Sequence, residues 1–476
     1  MNIIAEIRKQ NHGSLPAVIH GERVISFDEL FTLVDEIKKQ LVSRHGILDG
    51  SGACIPRIGV AFPNGLGYII LAMAVIDAGA CFVPIPDELT KCERERLIRD
   101  TALHAILTPD EGNSGVGAIK LPLASTNALL INLDTAKPQF PESEFEALMP
   151  AFIRFSSGTT AASKGVVISH QSLLERITAA NTGLSLKRGE KVLWTLPMAH
   201  HFAVSIVLYL YHGAATVLEL SHEPDKIYQA ARDSGANLLY GSPFHFARLA
   251  QCQDAQPLPE LRLAVATASA LSHAAADAFS QRFDLPLTQA LGIIEVGLPI
   301  INLNHAHDIP TALGQPLTAY EWKIINPQTG VGELYLKGPG MFDAYLLPWK
   351  KREQLSADGW FATGDLVEVI HENTLQMRGR CKSVINVGGM KVFPEEIEAV
   401  LNTHPTIHRC RAFAKHHETI GSFPCAEMII EEGMEPPSQA DLKKHCSHQL
   451  ASYKIPMQFV KVDHISQTAS GKVKRH

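Results

Sequence analysis

The chain has 476 residues, more than one hydrophobic core usually serves, so two or more domains are expected, one of them large. Hydrophobic residues make up 46% and charged ones 19%, enough apolar mass for a packed core and unlike a disordered chain. A formal charge of −6, a charged start, no run of ~20 apolar residues and eight scattered cysteines argue against a nucleic-acid footprint, a signal peptide, a membrane span and a metal-binding C-x-x-C pair, and predict a cytoplasmic protein with reduced thiols.

From Arg57 onward short apolar runs alternate with helical patterns, beginning with "RIGVAF", the turn "PNG", the helix-like "YIILAMAVIDAGA" and "CFVPI", a strand, helix, strand unit. Next comes "FSSGTTAASKG", residues 155–165, where Ser156, Ser157, Gly158, Thr159 and Thr160 precede Lys164. Backbone N–H groups of small residues can turn inward around an anion, and a lysine adds a mobile positive charge. A Walker loop sets its lysine directly after a glycine and a hydroxyl directly after the lysine. Here Ser163 precedes Lys164 and Gly165 follows it, so that reading fails. Alone, such a cluster is more often a surface turn.

The alternation returns as "KVLWTLP", "FAVSIVLYLYHGAA", "TVLEL", "KIYQAARDSGA", "NLLYGSP", "LRLAVATA", "SHAAADAFSQRF" and "LPLTQALG". This predicts doubly wound parallel sheets with helices on both faces and ligands at the carboxyl ends of the strands. After about Gly330 the strand-rich "GELYLKG" and "WFATGDLVEVI" suggest a smaller β-rich subdomain. Beyond "RGRCKSVINVGG", the segments "PEEIEAVLNTH", "RCRAFAKH", "CAEMIIEE", "SQADLKKHCSHQL" and "MQFVKVD" suit a small C-terminal α+β lid. The fold class is α/β, with a domain at residues 1–380, a lid at 381–476 and the boundary near Arg380.

Five further segments complete a pattern: "LGIIE", "GWFATGDL", "GRCKSVINVGGMKVFPEEIE", "YKIPMQF" and "TASGKVKR". In this order and spacing they resemble the adenylate-forming superfamily, which includes acyl-CoA synthetases, firefly luciferase and nonribosomal-peptide adenylation domains. The resemblance runs from "AGACFVPIP" to the last residues. It implies ATP-driven activation of a carboxylic acid: the carboxylate attacks the α-phosphorus of ATP, acyl-AMP forms and pyrophosphate leaves. Under it, Ser156, Ser157, Gly158, Thr159, Thr160 and Lys164 hold the departing phosphates, and Glu295 binds the bridging Mg2+ as a hard-oxygen ligand. Asp365 accepts the ribose hydroxyls, Arg380 reaches the nucleotide, and Ser269 and Gly292 are further nucleotide-binding positions. Lys382 is the hinge, Gly389 lies against the incoming pantetheine arm, and Lys472 is the electrostatic catalyst of adenylation.

The segment containing His200 matches the one that opens the family's acyl pocket, with His200 as its gate. His201 stands where amino-acid-activating domains place an aspartate, which disfavours an amino acid. Phe202, Val204, Tyr240, Phe244, Ala268 and Gly292 suggest an apolar cavity for an aromatic or medium-chain fatty acid. No carrier-protein serine motif follows Lys472, so the acceptor is CoA or a stand-alone acyl carrier protein. The 70 positions from Glu295 to Asp365 leave little room for the insertion of fatty-acyl-AMP ligases, which favours CoA. Ala161, Leu291 and Ile294 depart from the family pattern, and "VATASALS" lacks its G-G-A. A catalytically silent acyl- or nucleotide-binding relative therefore stays open beside the ligase, as does a luciferase-like oxygenase.

Overall fold

The alternating apolar runs become two nine-stranded sheets in the computed structural model, which describes all residues except 46–53, 111–117, 120–126, 135, 156–163, 329, 357, 388–389, 418–420 and 467–476. In the first sheet the strands lie in the order Gln315–Pro316, Gly297–Ile301, Leu287–Ile293, Leu263–Ala266, Leu238–Gly241, Lys191–Trp194, Ala215–Leu218, Pro16–His20 and Arg23–Ser26. The strands from Leu287–Ile293 to Pro16–His20 run parallel, and both edges are antiparallel. The second sheet has a parallel centre of Pro150–Phe155, Cys81–Pro84, Arg57–Val60 and Ala105–Pro109. Antiparallel strands flank it, Gly165–Ser169 and Ala344–Tyr345 on one side and Ala128–Asn132 on the other.

Both sheets are thus mixed where the sequence predicts parallel ones. Links as short as the one from Ile293 to Gly297 cannot carry a crossover, so the next strand returns antiparallel. The central strands are buried at every position, as in Leu238–Gly241 and Leu263–Ala266, and this explains their unbroken apolar runs. The helix Leu66–Asp77 is buried from Leu66 to Ile76, which requires apolar residues all round rather than on one stripe. The helix His170–Leu184 touches Gly297–Ile301 of one sheet and Gly165–Ser169 of the other. A Cβ on Gly183 would lie 2.7 Å from the side-chain ends of Ile301 and Leu317, so a larger residue at this close crossing would make both side chains shift.

Three elements before Arg57 escape the sequence reading: the helix Ile3–Lys9, the hairpin of Pro16–His20 with Arg23–Ser26, and the helix Phe27–His45. The first is capped by Asn2, whose side chain accepts from Ile4 N, and is anchored by Ile3 N donating to buried His170 Nδ1 at 3.2 Å. The predicted helix "FAVSIVLYLYHGAA" is broken at Ser205 into a 3-10 turn, Phe202–Val204, and the helix Ile206–Tyr211. Among the described residues no helix is long and apolar enough to cross a membrane.

The described residues fall into two compact units, one within Met1–Gly158, Ala162–Glu321 and Lys337–Phe361, the other within Trp322–Leu336 and Ala362–His476. The second contains residues 362–371 of the strand Phe361–His371, paired antiparallel with Thr374–Arg380 in a four-stranded sheet. Its five-stranded sheet includes Ile385–Val387, Ile407–His417, Gly421–Ile430 and Gln458–Lys461. The helices Pro394–Leu401 and Gln439–Ser447 close its core through Ile397, Leu401, Leu442 and Cys446.

Candidate active site

Glu295 occupies the turn between the antiparallel strands Leu287–Ile293 and Gly297–Ile301. Val296, fully buried, pins that turn through its N–H to Ile293 O at 3.0 Å. Two further contacts fix the Glu295 backbone. Phe342 N donates to Glu295 O at 2.8 Å, and Arg176 Nη1 donates to Ile294 O at 2.9 Å. Arg176 Nε also donates to Gly340 O at 2.8 Å, so one buried guanidinium ties the turn to the chain leading into Ala344–Tyr345. Gly340 has φ +65°, and a Cβ there would meet Arg176 N at 2.2 Å, so only glycine fits. Burial lowers the Arg176 pKa to about 10, which leaves it charged at neutral pH.

The Glu295 side chain is met from the second sheet. Tyr345 donates its hydroxyl to Glu295 Oε1 at 3.0 Å. The Lys164 ammonium, one residue before the strand Gly165–Ser169, stands 4.5 Å from the centroid of the Tyr345 ring. Burial first, then the Glu295 charge, raises the Tyr345 phenol above its ordinary range, so it remains a donor throughout the physiological range. The structure therefore brings together two residues that the sequence singles out, Lys164 and Glu295, through one that it does not. Ser156, Ser157, Gly158, Thr159 and Thr160 lie outside the described residues.

A cleft beside this group is lined by Phe82, Phe152, Arg154, His200, Phe202 and Val204. Phe82 and Phe202 of its apolar wall pack edge to face at 5.7 Å, and Tyr68 packs edge-on against both at 5.9 to 6.2 Å. His200, in the short helix Met198–His201, has Nε2 2.5 Å from Glu88 Oε1. His201 packs edge-on against Trp194, and burial with the charge of Arg154 holds its pKa far below the usual range, so it is neutral. Of the other residues predicted for an apolar cavity, Tyr240 is buried and stacks on Trp194 at 5.8 Å. Phe244 is instead 55% exposed and rests against His222. Gly292 is exposed, and Ser269 follows Ala268, whose φ of 73° is unusual for a residue with a Cβ.

In the second unit Asp365 and Arg380 are direct partners in the register of two antiparallel strands. Arg380 Nε lies 2.8 Å from Asp365 Oδ1, with the carboxylate fully buried and the guanidinium 56% exposed. Gly364, at φ +72°, supplies the kink before Asp365, and Thr363 Oγ1 accepts from Asp365 N at 3.0 Å. This local geometry is the reason for glycine and a hydroxyl in "ATGD". Lys382 belongs to the 3-10 turn Cys381–Ser383, while Gly389 and Lys472 lie outside the described residues.

Sequence reasoning missed Tyr345, Arg154 and Arg176. Arg154 carried a signal, since it interrupts the apolar strand "AFIRF" in a buried sheet. Tyr345, 50 positions from Glu295, carried none.

A family model described as "AMP-binding enzyme" matches residues 5–346, and one described as "AMP-binding enzyme C-terminal domain" matches residues 396–472. A 2-succinylbenzoate–CoA ligase of Listeria innocua is 26% identical over 98% of this chain and 96% of its own. An oxalate–CoA ligase of Arabidopsis thaliana is 25% identical over 96% and 93%. The solved o-succinylbenzoate CoA synthetase of Bacillus subtilis, in complex with its acyl-adenylate intermediate, superposes with a TM-score of 0.83 at 19% identity, covering 100% of this chain and 97% of that one.

Proposed function

The chain belongs to the AMP-binding enzyme family, and from that premise we propose that it is an acid–thiol ligase that joins a carboxylic acid to CoA in two steps. In the first, a carboxylate oxygen bonds to the α-phosphorus of ATP as the bond to the pyrophosphate oxygen breaks, leaving acyl-AMP. In the second, a thiolate sulfur attacks the acyl carbon, and AMP departs with the electron pair of the broken C–O bond. The observation that carries this reading is the Lys164–Tyr345–Glu295 group, in which a cation and a carboxylate from two different sheets converge. Such a pair suits a polyphosphate, whose charge the lysine offsets directly.

The Glu295 carboxylate fits Mg2+, because it is a hard anionic oxygen donor held by a single phenol donor rather than by a salt bridge to lysine or arginine among the described contacts. When bound there, Mg2+ would neutralise phosphate charge. Lys164, with Ser156, Ser157, Gly158, Thr159 and Thr160, holds the departing phosphates, and Tyr345 fixes the Glu295 carboxylate. Asp365, with Arg380 beside it, takes the ribose, and Ser269 and Gly292 line the base side. Lys472 offsets charge that develops on the α-phosphate only in the transition state, an effect worth ~3 to 4 kcal/mol for one well-aimed group. A domain boundary at 380/381, with the hinge at Lys382, lets the C-terminal domain serve both steps, and Gly389 leaves room for the pantetheine arm.

The apolar side chains beside His200, Phe82, Phe152 and Phe202, match an acid with an apolar body, which we read as aromatic or medium-length, and the Listeria relative's 2-succinylbenzoate has an aromatic one. The ligase names of the relatives support CoA over a carrier protein as acceptor. Eight free thiols support a reducing compartment such as the cytoplasm. The test is acid-dependent exchange of labelled pyrophosphate into ATP. Exchange that requires both an acid and Mg2+ is the expected result; none across a broad acid panel would leave a silent binding relative.

A further inference from the structure

Resting on the ligase reading, we propose that the acid carries a second anionic group, and that Arg154 is the residue that selects it from inside the His200 cleft. In the strand Pro150–Phe155, Ile153 faces a hydrophobic core, so by alternation Phe152 and Arg154 face the other way, into the cleft. The remaining walls offer this guanidinium little: Phe82, Phe152 and Phe202 are apolar, and His200 is already engaged with Glu88 at the rim. Arg154 Nε is shielded from solvent and has no hydrogen-bond acceptor among the described residues. Burial lowers its pKa to about 10, and Glu295, the carboxylate whose charge opposes this, has Oε1 occupied by the Tyr345 hydroxyl. A shielded cationic donor without an acceptor is costly, whereas a ligand carboxylate or sulfonate supplies a charge-assisted bond. Burial and the charge of Arg154 also hold neighbouring His201 neutral.

The experiment compares chain-matched acids, adipate against hexanoate and phthalate against benzoate, on the full-length protein. Pyrophosphate exchange gives kcat/KM for each, and calorimetric titration without ATP gives binding. The wild type is expected to prefer each diacid by roughly 10- to 100-fold, the range of a hydrogen bond to a charged group, mainly through KM. In Arg154→Met that preference ratio collapses towards unity, and Arg154→Lys restores part of it. Melting temperatures of both variants separate this from misfolding. Equal use of monoacid and diacid by the wild type would overturn the proposal. So would an Arg154→Met variant in which both classes fall equally, which would place Arg154 on the reacting carboxylate or phosphate. If no acid supports exchange, the ligase reading fails, but calorimetry with the same pairs still decides whether the cleft selects dianions.

Discussion

Replacing Tyr345 by Phe removes one oxygen and leaves the rest of the site in place. The ring keeps its packing on Phe342 at 4.7 Å and its contact with the Lys164 ammonium at 4.5 Å. What disappears is the 3.0 Å hydrogen bond to Glu295 Oε1. A hydrogen bond to a charged group contributes about 1.5 to 3 kcal/mol, and the lower end applies because this pair is only partly buried. At ~1.4 kcal/mol per decade, the loss corresponds to about a tenfold fall in kcat/KM. The freed carboxylate can swing away from the phosphate side, so the Mg2+ concentration needed for half-maximal exchange should rise by a similar factor. Because the phenol stays protonated, the defect is the same from pH 6 to 9. Pyrophosphate exchange titrated with Mg2+, paired with thermal melting, measures both quantities. An unchanged Mg2+ requirement with unchanged rate would refute the role of Tyr345. A loss matched by a large drop in melting temperature would mean that the hydroxyl serves the fold instead.

Three other outcomes follow from the same geometry. Ala268→Gly relieves a side chain held at φ 73°; the ~1 kcal/mol of strain exceeds most of glycine's added chain entropy, so the melting temperature should rise by about 1 to 3 °C, and a fall contradicts this. Burial depresses the pKa of His104, His170 and His245 from 6.5 to about 4. The unfolded chain therefore binds more protons than the native one between those values, so stability is full above 6.5 and is lost as pH falls towards 4, by up to ~1.4 kcal/mol per group per pH unit. Urea midpoints at pH 7 and pH 5.5 check the sign, and equal midpoints contradict it. Lys472→Ala should slow exchange by ~100-fold or more without moving the melting temperature, and full exchange would make Lys472 a tail residue.

The central strands were legible because burial on both faces demands the continuous apolar runs that Leu238–Gly241 and Leu263–Ala266 display. The direction of the flanking strands was not, since it depends on link length in space, as in the tight turn at Glu295 that makes Gly297–Ile301 antiparallel. The break at Ser205 was hidden for a different reason: "FAVSIVLYLY" is apolar enough for one helix, and local sequence gave no breaker. At the site, Glu295 and Asp365 stood out through the family motifs that hold them, "LGIIE" and "GWFATGDL", and the structure adds a local reason for Gly364 beside Asp365, its φ of +72°. Tyr345 acts across 50 positions of chain, and its neighbours are ordinary sheet residues, so only the folded structure reveals it. Arg154 is readable as a charge inside an apolar strand, and it is the charged group of a cleft otherwise lined largely by apolar residues.

The most direct test of the mechanism follows the oxygen that the substrate leaves behind. With an acid labelled with 18O in its carboxyl groups, together with ATP, Mg2+ and CoA, one labelled oxygen should appear in AMP for each acyl-CoA formed, because the carboxylate oxygen bonds to the α-phosphorus. Label in orthophosphate accompanied by ADP, or unlabelled AMP, would contradict attack at that phosphorus.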